Sequence, residues 1–181
     1  MSDLKNSSPA YDRRTIMLHW VTAALVVLLW ALGQSIDWFP KGSPRIFARS
    51  THISLGLVLA LVLVARIHWR TGGRAVHLPP AGLGWLDKFA TIAHWALYAL
   101  LIATVALGIV NTWVRGDTIF NLFKIQPFQA NDKSLRETVE DWHALAANTL
   151  LIVAFLHAAA ALLHHVVLKD GVLRRMLPAR R

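Results

Sequence analysis

Residues 142–168 read WHALAANTLLIVAFLHAAAALLHHVVL, a run with no Asp, Glu, Lys or Arg. A helix rises about 1.5 Å per residue and needs roughly 20 apolar residues to cross a bilayer, so this segment is long enough to span one. It carries imidazoles at His143, His157, His164 and His165. At about 100° per residue, His143 and His157 lie within about 40° of each other around the helix and about 21 Å apart along it. His164 continues the stripe, within about 20° of His157. An imidazole in hydrocarbon is costly and seldom kept without a partner, so one near each surface on a single helix face points to ligands.

Three further runs share this character: 15–36, 50–65 and 89–114 contain no Asp, Glu, Lys or Arg and carry His19, His52 and His94. The second is short, and Ile46, Phe47 and Ile67 extend it if Arg49 and Arg66 reach out to the two interfaces. Over the 181 residues, 55% are hydrophobic, mean hydropathy is +0.45 and there are eight Trp. Such a chain is too apolar for a soluble domain and too short for several domains. The expected fold is all-α, an integral membrane four-helix bundle formed as one unit over 1–181. The run 15–36 exceeds the apolar core of a signal peptide, about 7 to 15 residues, and no small-residue cleavage site follows it, so it is read as the first membrane helix.

Basic residues set the expected orientation. Lys5, Arg13, Arg14, Arg66, Arg70, Arg74, Lys88, Lys169, Arg174, Arg175, Arg180 and Arg181 fall on the face that holds both termini, against Lys41, Arg45, Arg49, Arg115, Lys124, Lys133 and Arg136 on the other. The excess places both termini in the cytoplasm. It also accounts for most of the +9 net charge without a nucleic-acid partner. The absence of cysteine excludes disulfides, thiolate metal sites and covalent c-type haem attachment. A turn around Pro40, Gly42 and Pro44 joins the first two runs, and a link with Gly72, Gly73, Pro79, Pro80 and Gly82 joins the next two. His68 and His77 in that link read as solvated or interfacial. The connection from about 115 to 141 is long, with an apolar patch from Ile119 to Phe128, and is expected to fold over the outer end of the bundle.

Two sites about 21 Å apart cannot share one metal ion, but they can hold two haems stacked across the bilayer. Topology then pairs His52 with His143 near the outer surface and His19 with His157 near the inner one. The residue one turn beyond each is small, namely Ala23, Gly56, Ala147 and Ala161, which leaves room for a porphyrin. His94 is followed one turn later by Tyr98 and ranks below these four. Small residues also line ordinary membrane helix contacts, and a lone buried histidine can simply bridge two helices. Four histidines at paired depths favour the ligand reading. The tryptophans read as interface anchors, with Trp20, Trp95 and Trp142 each adjacent to a membrane histidine.

The run Leu18-His19-Trp20, His52 with Gly56, Trp142-His143, and the stretch from Leu156-His157 through Ala161, His164, His165, Lys169-Asp170, Arg174-Arg175-Met176 and Pro178 resemble the bacterial cytochrome b561 family over nearly the whole chain. The likeness is greatest to the branch that includes superoxide oxidase. The resemblance implies a multi-pass protein of the bacterial inner membrane, surrounded by lipid, with two non-covalent, bis-histidine haem b groups on His52/His143 and His19/His157. It further implies electron transfer from superoxide to ubiquinone, with His164 at the quinone and His165 as a weaker candidate. Lys41, Arg45, Arg49, Arg115, Lys124, Lys133 and Arg136 are candidates for steering an anion to the outer face. Asp37, Asp117, Asp132, Glu137, Glu140 and Asp141 leave that face near neutral, so steering needs spatial segregation. No catalytic side chain is assigned. The alternative is an electron-transfer subunit that links a partner dehydrogenase or hydrogenase to quinone, with a redox protein as donor. A haem-free histidine-lined transporter is disfavoured because the histidines do not gather at one depth.

Overall fold

The computed structural model describes residues 10–76, 78, 84–129 and 132–177. Four helices form where the apolar runs lie: α1 Arg13–Ser35, α2 Ser43–Thr71, α3 Trp85–Arg115 and α4 Lys133–Leu163. Each contains a stretch of mean hydropathy between 1.9 and 2.1, and each is long and apolar enough to cross a membrane. Their outward faces stay apolar; Leu61 and Phe155 are each 71% exposed. In lipid such faces carry no desolvation cost, whereas every backbone polar group must bond within the helix.

The helices follow one another around the bundle, α1 packing closely on α2 and α3 on α4, with lighter contact between the two hairpins so formed. A leucine cluster of Leu29, Leu59, Leu63, Leu101 and Leu150 joins all four helices at mid-depth. Trp30 Nε1 of α1 also donates across the hairpins to Asn148 Oδ1 of α4 at 2.8 Å.

The helix ends explain how the hairpins close. Asp12 caps α1, accepting from Thr15 N at 2.9 Å and Thr15 Oγ1 at 2.6 Å. It also accepts from Trp69 Nε1 and Val76 N, both at 3.2 Å, which fastens the start of α1 to the end of α2. Burial opposes the charge on Asp12, but the bonds from Thr15, Val76 and Trp69 outweigh it and bring the carboxyl down to about 2. The C-terminal segment returns to the same end, with Tyr11 N donating to Arg175 O at 3.0 Å and Trp20 Nε1 to Met176 O at 2.8 Å. Both described chain ends therefore meet at one end of the bundle, near His19 and His157.

The opposite end carries a short antiparallel hairpin of β1 Thr118–Ile119 and β2 Phe123–Lys124. Its turn places Phe120 and Asn121 at φ of 47° and 58°, the doubly left-handed geometry that matches strand twist. The strain at Phe120 is held by α2: Phe120 N donates to Ser50 Oγ at 2.8 Å, and the Phe47 and Phe120 rings meet at 5.3 Å. Ser50, fully buried, in turn donates to Ile46 O at 2.7 Å.

The expected boundaries shift in three places. Asp132 caps α4 by accepting from Leu135 N at 2.8 Å, so the helix starts at Lys133, well before the apolar run, and the last third of the expected loop is helical. At its other end α4 passes into a π-turn at His164–Leu168. His68 lies in the last turn of α2 and not in the link. The expectations that involve Lys5, His77, Pro79, Pro80, Gly82, Pro178, Arg180 and Arg181 fall outside the described residues.

Candidate functional site

Packing brings the membrane histidines into two groups, one toward each end of the bundle. At the β-hairpin end, the rings of His52 on α2 and His143 on α4 have centres 6.3 Å apart and stand nearly perpendicular, at 89°. At the terminal end, His19 on α1 and His157 on α4 are 6.5 Å apart. His94 on α3 lies nearer to His157, at 5.3 Å. Leu150 is seven residues from both His143 and His157, so the leucine cluster sits midway between the groups, about 10 Å from each along α4.

The hairpin organisation separates these contacts. His52/His143 and His19/His157 each bridge the two hairpins, whereas His94 and His157 belong to the same tightly packed one. An iron bound at about 2 Å by each of two imidazole nitrogens requires ring centres roughly 6.4 Å apart. The two bridging pairs match that spacing and the His94 pair falls short of it.

The outer pair fits a metal-centred group well. His143 Nδ1 donates to Thr104 O at 3.1 Å, which leaves the lone pair on Nε2. Among the described residues His52 Nδ1 is buried without a partner in full hydrogen-bond geometry, the Leu29 backbone being a polar neighbour. Each ring is backed by a glycine of its hairpin neighbour. A Cβ on Gly33 of α1 would lie 3.2 Å from His52 Cε1, and one on Gly108 of α3 would lie 3.0 Å from His143 Cε1. Both glycines let the ring lie flush against the adjacent helix. By contrast, a Cβ on Gly56, one turn beyond His52, would meet nothing within 4 Å, so there is space beside the histidine on that side.

The inner pair carries an additional cation. Arg66 Nη2 lies 3.3 Å from His19 Nδ1, and because a guanidinium only donates, Nδ1 is the acceptor in this arrangement. Ligation through His19 Nε2 needs the proton on Nδ1, and hence the release of Arg66. Arg66 and Arg70 both lie over the Tyr98 ring, at 5.1 and 6.0 Å, which draws Tyr98 toward α2. A cavity of about 80 Å³ opens beside them, with Tyr11 and Trp69 in its wall.

His164, at the start of the π-turn, bonds through Nδ1 to Asp170 Oδ2, whereas His165 makes no such bond among the described residues. Trp95 and Trp142 face outward, exposed at 72% and 58%, as interface anchors do.

Most of the outer basic candidates are engaged. Arg45 pairs with Asp37 at 3.1 Å and Lys133 with Glu137 at 3.4 Å. Arg49 and Arg115 flank Asp117 at 3.8 and 3.6 Å, and Arg115 also binds Glu140. Burial pushes the Asp117 carboxyl above its usual range, against the pull of Arg115 and Arg49. Among the described residues, Lys41, Lys124 and Arg136 take no part in these pairs.

Sequence reasoning did not pick out Gly33, Gly108 or Thr104, and it named Asp170 only within the family resemblance, without a role. The glycines had a legible signal, an isolated Gly within an apolar helix. Thr104 contributes through its backbone carbonyl, which no residue type announces.

Comparison with known proteins agrees with this architecture. The family model described as prokaryotic cytochrome b561 matches residues 10–179. The chain is 31% identical to "Cytochrome b561 homolog 1" of Escherichia coli strain K12, over 94% of this chain and 98% of that protein. It is 32% identical to "Probable superoxide oxidase CybB" of Yersinia pestis, over 94% of this chain and 97% of the relative. It is 30% identical to "Cytochrome b562" of Cereibacter sphaeroides, over 95% and 98% respectively. With four apolar helices that can span a membrane and a family match across nearly its full length, the chain belongs to the prokaryotic cytochrome b561 family of multi-pass membrane proteins that carry electrons on haem b.

Proposed function

We propose that this protein oxidises superoxide at the β-hairpin end and reduces ubiquinone at the terminal end, with the termini in the cytoplasm and the bundle in the bacterial inner membrane. The observation that carries the relay is the pair of hairpin-bridging histidine couples at 6.3 and 6.5 Å, one toward each end. The choice of donor rests on the likeness to the Yersinia pestis protein. Two b haems, held without covalent attachment by His52 with His143 and by His19 with His157, supply one-electron carriers in series. Two superoxide anions give up one electron each and leave as dioxygen, while one ubiquinone takes two electrons and two protons.

The chain's own residues set the direction of approach. Lys41, Lys124 and Arg136 leave positive charge for an anion at the hairpin end, while Arg49 and Arg115 are balanced by Asp117 and Glu140. If His52 with His143 and His19 with His157 held the haems, no coordination position would be left for the anion, which would have to deliver its electron at the edge of the site. At the terminal end, His164 offers an imidazole that hydrogen-bonds a quinone carbonyl and passes a proton.

Purified protein exposed to enzymatically generated superoxide is expected to show rapid haem reduction, and added ubiquinone is expected to reoxidise it, both by visible absorption. Haems that stay oxidised with superoxide but are reduced by a partner dehydrogenase assign the protein to the electron-transfer-subunit alternative.

Gly108 gives a local test of the outer site. Gly108→Leu raises helix propensity, so α3 itself is not weakened, yet its side chain must occupy the space of the His143 ring. Haem per chain is expected to fall from two toward one by pyridine haemochrome assay, with helical circular dichroism unchanged. Retention of two haems with an unaltered spectrum contradicts the assigned position of the outer site.

A further inference from the structure

The turn that follows α4 folds back on His164. Lys169 adopts a left-handed φ of 54° and Gly171 one of 76°, which reverses the chain so that Asp170 N approaches His164 O at 3.4 Å. The Asp170 side chain then holds two donors, His164 Nδ1 on Oδ2 at 2.5 Å and Val172 N on Oδ1 at 3.1 Å. Partial burial opposes its ionisation, but the bonds from His164 and Val172 prevail and keep the carboxyl below the usual range. A carboxylate only accepts, so the proton of the neutral imidazole sits on Nδ1 and the lone pair on Nε2.

We propose that Asp170 is the positioning residue of quinone reduction: by holding Nδ1–H it directs Nε2 of His164 to the substrate and stabilises the imidazolium, whose Nε2–H is the donor to the quinone carbonyl. This rests on the reading of His164 as the quinone contact. Nε2 takes a proton from water at the terminal end and gives it to a quinone oxygen as the electrons arrive. The second proton of the quinol comes from water directly. The carboxylate itself stays ionised, as the orienting acid does in an Asp–His couple. Neither the π-turn nor the left-handed Lys169 is needed to end a helix. Together they bring a carboxylate to the one imidazole of the stripe that lies beyond both histidine pairs.

The test uses the haem-loaded protein and ubiquinone with a short side chain. Haems are reduced by superoxide and their reoxidation by the quinone is followed by stopped flow. Asp170→Asn is expected to leave haem content, spectra and reduction by superoxide unchanged and to slow reoxidation by about tenfold, less than loss of the imidazole itself. Asp170→Glu should recover most of the rate. The double variant with His164→Ala should be no slower than His164→Ala alone, since the two act as one unit. Nitrogen-15 NMR of histidine-labelled protein should give Nδ1–H for His164 in the wild type and a mixed tautomer population in Asp170→Asn. Asp170→Asn at the wild-type rate with His164→Ala slow overturns the role of Asp170 and leaves that of His164 standing. Additive losses in the double variant also overturn it. A His164→Ala protein that reoxidises normally removes His164 from the quinone site and the proposal with it.

Discussion

Under the proposed ligation, alanine at His143 or His52 is expected to remove the outer haem or leave it five-coordinate, and alanine at His157 or His19 to do the same to the inner one, so each variant should retain a single low-spin centre. The expected effect is large because, in the proposed site, each imidazole of a pair would tie the iron to a different hairpin. His52 and His19 are on the α1–α2 hairpin, and His143 and His157 are on α4. Loss of a strong axial ligand converts a low-spin six-coordinate iron to high spin, which electron paramagnetic resonance reads directly. His94→Ala is the internal control. His94 and His157 share one hairpin and their ring centres are 5.3 Å apart, about 1 Å too close for an iron between them. Both low-spin signals should therefore persist in His94→Ala. A high-spin signal from His94→Ala together with a normal spectrum from His19→Ala assigns the inner site to His94 and His157 instead.

His164→Ala separates the two half-reactions. Superoxide should still reduce both haems at the wild-type rate, because His164 lies seven residues beyond His157, past the inner pair and at the far end from the β-hairpin. Reoxidation by ubiquinone should slow by roughly 10² in rate, the lower range for losing a positioned proton donor. His165→Ala should have little effect, since His164 and not His165 is held by Asp170. Equal slowing of both half-reactions in His164→Ala indicates a disturbed inner haem and not a lost quinone contact. That outcome is recognisable because the visible spectrum changes with it.

The helical architecture was legible because bilayer thickness converts directly into a run of uncharged residues, and all four runs became helices. Ligand candidates were legible for a related reason. Along α4, a spacing of fourteen residues fixes depth and azimuth together, so His143 and His157 declare two levels without any tertiary information. Charge patterning was less informative at helix ends. The charged turns from Lys133 to Asp141 look like loop, yet the Asp132 cap makes them helix. The steering candidates were least legible, because one-dimensional counting of seven cations against six acids does not reveal that Asp117 lies between Arg49 and Arg115.

What residues 142–168 and their three counterparts determined by themselves was the number of helices and the depths of the imidazoles along them. Tertiary structure decided which imidazoles face one another across a gap. The bundle is two close-packed hairpins with lighter contact between them, so His19 and His52 meet α4 across that cleft while His94 is held against His157 inside one hairpin. It also decided what stands behind each ring: Gly33, Gly108 and the carbonyl of Thr104 at the outer site, and Arg66 at the inner one. Depth along a helix follows from local rise per residue, whereas the distance between side chains on different helices depends on how closely their backbones approach. That approach is set by packing among residues distant in sequence.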